Sequence, residues 1–130
     1  MNKPRIFISH SWKYDDYDKL VDLLDGRKYF DFKESSVPSS NPLFGTNKEI
    51  WDTIENKIRW SQVVLLTAGV HATYSGSIQR EIKFAKLLNK PIIAIVPLGT
   101  ERTSSLAGHA TEVVGWRADS IIAAIRRHYK

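Results

Sequence analysis

With 130 residues the chain is long enough to bury one proper core and too short for two, and with 42% hydrophobic and 25% charged residues it has ordinary globular composition. The absence of cysteine excludes disulfide scaffolds, thiolate metal sites and thiol nucleophiles. The formal charge of +5 suits an anionic partner. However, the Lys and Arg residues are scattered, and the densest group, Arg126-Arg127-His128 with Lys130, reads as the cationic end of a helix. Neither a nucleic-acid nor a membrane partner is expected. Met1 to Pro4 lead directly into a strand-like run with no leader pattern, which predicts one cytoplasmic domain over residues 1–130.

In chain order, Arg5 to Ser9 is a short continuous apolar run, as in a parallel strand buried on both faces, and it opens onto Ser9-His10-Ser11-Trp12. Tyr14 to Asp25 places Tyr17, Leu20, Val21 and Leu24 on one helical face and Asp15, Asp18 and Asp22 on the other, with Gly26 as a stop signal. Tyr29 to Lys33 alternates like a strand near a sheet edge. The Ser-, Pro- and Asn-rich stretch from Glu34 to Gly45 predicts a loop. A capping box at Thr46 to Glu49 starts a helix that runs to about Trp60 and buries Ile50, Ile54 and Ile58, with Trp51 at the flank. Val63 to Thr67 is a third strand. After the loop from Ala68 to Ser75, a helix runs to near Asn89; Pro91 to Val96 is a fourth strand. Pro97 to Ala110 reads as a loop, Val113 to Gly115 as a short fifth strand, and Ala118 to Tyr129 as the last helix.

This alternation predicts an α/β, flavodoxin-like three-layer sandwich with a five-stranded parallel sheet of order 2-1-3-4-5. Its topological switch point lies between the carboxyl ends of strands one and three, where ligands of such folds bind. The crevice receives Ser9, His10, Ser11 and Trp12 from one side. From the other it receives the loop from Ala68 to Ser75 and the start of the next helix.

That helix carries a misplaced acid. At 100° per residue, Ile78, Ile82, Ala85 and Leu88 share one face and Glu81 falls inside it, while Arg80, Lys83 and Lys86 lie outside. An ionised group there must be paired, protonated or placed beside a pocket. The switch-point position favours the pocket; the alternative is a carboxylate at the rim, paired with a neighbouring cation. Familiar tenants of this fold do not fit the crevice. It lacks the acidic pair of a phosphorylatable receiver, the glycine-rich phosphate loop of a flavin or nucleotide site, and metal-ligand spacing among His10, His71, His109 and His128. A lone carboxylate with hydroxyls and aromatics around it fits cleavage at the anomeric carbon of a ribose, where it stabilises an oxocarbenium-like state, holds the ribose hydroxyls or attacks the carbon. Trp12, Tyr14, Trp51 and Tyr74 are candidate stacking platforms.

The run Phe7-Ile8-Ser9-His10-Ser11, Ser75 six residues before Glu81, Ala85, Lys90-Pro91-Ile92-Ile93, and Gly115-Trp116 before the last helix together resemble a TIR domain. More closely, the chain is similar to the bacterial TIR-like family that includes the TIR subunit of Thoeris antiphage defence. The family pattern of Ser, Trp-Cys and Glu maps onto Ser75 and Glu81, with Ser77 and Ile78 in place of Trp-Cys. The resemblance implies that NAD is a substrate, with no cofactor, and that Glu81 cleaves its nicotinamide-ribose bond. It also implies an ADP-ribose-derived signal to a downstream effector, and a loop, Glu34 to Gly45, that gates the site and mediates self-association. Ser9, His10, Ser11, Tyr74, Ser75, Ser36 and Trp51 are the expected substrate contacts, with Lys33 a further candidate for phosphate. Ser75 equally suits a helix cap. A nucleoside deoxyribosyltransferase-like enzyme and a non-catalytic interaction module remain the alternatives.

Overall fold

The computed structural model describes residues 4–9, 16–26, 33–34, 47–67, 76–96 and 108–129. In chain order these form β1 (Arg5–Ser9), α1 (Asp16–Asp25), β2 (Lys33–Glu34), α2 (Asn47–Trp60), β3 (Val63–Thr67), α3 (Gly76–Leu87), β4 (Ile92–Ile95), β5 (Glu112–Val114) and α4 (Ala118–His128). All strand pairs are parallel, and the sheet reads β2-β1-β3-β4-β5. An α/β fold with a parallel sheet is therefore established.

The continuous apolar runs form the centre, because a strand covered on both faces has no wet side on which to place a polar residue. Successive side chains then feed opposite layers. Ile6, Ile8, Val63, Leu65, Ile93 and Ile95 pack with Leu20 and Leu24 of α1 and with Ile121, Ile122 and Ile125 of α4. Phe7, Val64, Leu66, Ile92 and Ala94 pack with Ile54 and Ile58 of α2 and with Ile78, Ile82 and Ala85 of α3. Ile50 and Leu88, expected on these buried faces, are only half-buried and flank the second layer.

The edges depart from expectation. β2 pairs through Lys33 and Glu34, opposite Arg5 and Ile6, so Glu34 belongs to the sheet instead of the following loop. Tyr29 to Phe32 lie outside the described residues. β5 is set one residue earlier than its apolar pattern suggests: the ladder opposes Glu112 to Ile93, and Gly115 follows the strand. The shift at β5 has a physical cause. A short edge strand takes its register from its single neighbour, and half-exposed Val113 contributes little to a core that would otherwise fix the phase.

The end of α2 is tied to the amino edge of the sheet. Arg5 Nε donates to the Trp60 carbonyl at 2.8 Å, and Lys90 Nζ to the Arg59 carbonyl at 3.0 Å. These cations satisfy terminal carbonyls and complement the helix dipole. Burial, then the charges of Arg5 and Arg59, hold the Lys90 ammonium below its usual pKa.

Candidate functional site

Ser9 ends β1, and strand alternation turns it to the same side as Phe7, toward α3. Helical periodicity brings Glu81 down onto the sheet between Ile78 and Ile82. The two meet: Ser9 Oγ donates to Glu81 Oε1 at 2.6 Å, with Ser9 fully buried and Glu81 8% exposed. Thr67 Oγ1 donates to the Ser9 carbonyl at 3.4 Å, a long bond that links the carboxyl ends of β1 and β3. Glu81 thus stands beside the paired ends of these two strands.

Burial pushes the Glu81 carboxyl up to about 8, against the Ser9 hydrogen bond, which pulls it down. At neutral pH the resting group is mostly protonated. The alternative of a rim carboxylate paired with a neighbouring cation does not hold among the described residues. Arg80, the cation next to it in sequence, lies over the Trp51 ring at 4.0 Å from its centroid, and Lys83 and Lys86 are exposed.

Of the expected contacts, the structure brings Ser9 to Glu81. It places Trp51 on the second turn of α2, half-buried, with the Arg80 guanidinium against its ring. His10, Ser11, Trp12, Tyr14, Ser36, Tyr74 and Ser75 lie outside the described residues, and Lys33 is described only as a strand residue. Two participants were missed from the sequence. Thr67 ends an apolar run, and a hydroxyl there was a legible sign of a polar strand end. The pairing of Arg80 with Trp51 joins residues on separate helices, and no local pattern announces it.

No group of His, Asp or Glu suited to a metal ion occurs among the described residues. A groove of about 520 Å³ runs along the other flank of α3, lined by Gln79, Ile82, Lys83, Lys86, Leu87 and His109, and does not include Glu81. No described helix is long and apolar enough to cross a membrane.

The family model for the TIR-like domain of the Thoeris protein ThsB matches residues 7–102. The chain belongs to the ThsB TIR-like domain family. The match spans both Ser9 and Glu81. Comparison with the curated proteins finds no match. Among solved structures, this ThsB-family chain is similar to a prokaryotic SEFIR domain, at 17% identity and a TM-score of 0.62 over 98% of this chain and 100% of that one. It is also similar to the Clostridium botulinum CMP N-glycosidase BcmB, at 13% identity and a TM-score of 0.60 over 95% of this chain and 98% of that one. Aquifex aeolicus Era matches at 12% identity and a TM-score of 0.64, over 100% of this chain but 58% of that one. At such identities the likeness is one of fold.

Proposed function

We propose that this TIR-like domain cleaves the nicotinamide-ribose bond of NAD, with Glu81 as the catalytic carboxylate. The reading includes one TIR-like domain over residues 1–130 and a flavodoxin-like sandwich whose crevice opens at the ends of β1 and β3. The observation that carries it is a glutamate buried on the apolar face of α3, beside those strand ends. A purely structural position would favour an apolar residue, since a buried acid without a counter-ion costs stability.

The chemistry suits the environment. The nicotinamide-ribose bond breaks with its electron pair leaving on the ring nitrogen, which turns a pyridinium cation into neutral nicotinamide and moves the positive charge to the ribose. No general acid is required. A carboxylate beside the anomeric carbon stabilises that charge, and the bound cation itself favours the ionised form of Glu81. Water attacking the cation gives ADP-ribose; a hydroxyl or ring nitrogen gives a cyclic product or a conjugate. In Thoeris-type antiphage defence such a product is the signal to an effector, with self-association of TIR surfaces preceding it; Trp51, Tyr74, Ser75, Ser36, His10 and Ser11 are the proposed substrate contacts.

A second reading follows from the CMP N-glycosidase neighbour: the same carboxyl, in its protonated form, acting on a nucleoside monophosphate whose base must gain a proton to leave. Purified protein is incubated with NAD and, separately, with CMP, with and without lysate from phage-infected cells, using wild type and Glu81→Gln. Nicotinamide release by wild type, reduced on the order of 10³-fold in the variant, is expected. Cytosine release in its place establishes the second reading, and release of neither base in any condition overturns both.

A further inference from the structure

Ser9 belongs to the residues a crevice at the end of β1 would offer a ligand, yet its surroundings assign it elsewhere. It is fully buried, and its one hydroxyl proton is committed to Glu81 Oε1 at 2.6 Å. Its carbonyl accepts from Thr67, which fixes the strand end that carries the hydroxyl. Glu81 Oε2 has no hydrogen-bond donor among the described residues. A glutamate on a helix has several side-chain torsions to settle, and a misplacement of about 1 Å at a reacting centre costs on the order of 10²-fold in rate.

We propose that Ser9 is a positioning residue for Glu81 and not a substrate ligand: its hydroxyl pins one carboxyl oxygen to the end of β1, leaving the other for the substrate. The role rests on reading Glu81 as the catalytic carboxylate. No charged side chain among the described residues competes with this bond. On α3, Arg80 lies over Trp51, Lys86 pairs with His109 and Lys83 is exposed; on α2, Lys48, Glu49 and Asp52 are exposed, Arg59 lies over the Phe84 ring, and neither Glu55 nor Lys57 is bonded to Glu81; on β1, Arg5 is held by the Trp60 carbonyl at the opposite end of the strand from Ser9, and the facing strand ends bring the hydroxyls of Ser9 and Thr67.

The hydrogen bond favours the ionised carboxyl, whereas burial opposes it. Ser9→Ala removes the first and keeps the second, so Glu81 titrates about one pH unit higher in the variant. The titration is followed by carbon NMR of protein labelled at the glutamate carboxyls, with Glu81 assigned by the signal lost in E81Q. In parallel, the pH profile of NAD cleavage in Ser9→Ala shifts to higher pH by the same interval. At pH 7 kcat/KM, which follows the ionised fraction of the free enzyme, falls about tenfold, and Ser9→Thr, which retains a hydroxyl, restores part of the loss. An unchanged Glu81 titration in Ser9→Ala overturns the proposal, as does a rise in KM with an unmoved pH profile, the signature of a lost substrate contact. Absence of NAD cleavage by wild type, with the titration shifted as expected, sinks the functional reading while the Ser9–Glu81 coupling stands.

Discussion

At the scale of single residues, Glu81 stores a pH dependence that can be measured without substrate. Its carboxyl titrates near 8 in the folded protein against 4.5 for an ordinary glutamate. Between those values the native state binds more protons than the unfolded chain, so stability falls as pH rises through that window. Glu112 works the other way. Hydrogen bonds from Arg127 and His128 hold its carboxyl below the usual range, so its contribution is present at neutral pH and lost on acidification. Comparison of wild type with Glu81→Gln cancels the Glu112 effect, which both share. Urea denaturation at pH 5, 7 and 9 is therefore expected to show the variant gaining on wild type as pH rises, by on the order of 4 kcal/mol across the window. A constant difference would mean that Glu81 is already ionised in the resting protein.

At the scale of elements, helix ends show which local signals the chain obeys. After α3 comes a complete Schellman motif: Lys90 N–H reaches the Ala85 carbonyl at 2.9 Å, Asn89 N–H reaches the Lys86 carbonyl at 3.0 Å, and Asn89 holds a positive φ of 55°. Asparagine tolerates that left-handed conformation, which stops the helix before Pro91 and launches β4. The start of α4 is less well provided. Arg117 occupies the N-cap with suitable extended dihedrals but makes no side-chain cap bond, and its charge sits at the positive end of the dipole. Arg117→Asp should supply the missing acceptor and a favourable charge. We expect a gain of about 1 kcal/mol in urea unfolding, with NAD cleavage unaltered.

At the scale of the whole molecule, the two apolar layers divide labour. The layer beneath α2 and α3 holds Glu81 against β1, while the layer beneath α1 and α4 supports the sheet from behind. A cavity in the rear layer should therefore cost stability without touching the chemistry. Leu65 is fully buried there on the central strand β3, and Leu65→Ala is expected to lower unfolding free energy by about 3 kcal/mol. Cleavage per folded molecule should stay at the wild-type level at a temperature where the variant remains native. A parallel loss of activity would show that the rear layer sets the position of Ser9 and Glu81.

Periodicity alone carried the α/β class, the central strands and the helix faces, because burial on one side of a helix or on both sides of a strand writes a repeat into the chain. It also exposed Glu81, since a charge on an apolar face breaks the repeat of Ile78, Ile82 and Ala85. The register at β5 was not legible, because this short edge strand, with Val113 half-exposed, has too little buried face to fix its phase. Nor was the partner of the acid. Ser9 and Glu81 lie 72 residues apart and meet only once β1 and α3 share a layer. Whether a buried acid is paired with a cation, ionised or protonated depends on neighbours assembled from distant segments. Here folding placed a hydroxyl against it, and burial outweighed that single bond.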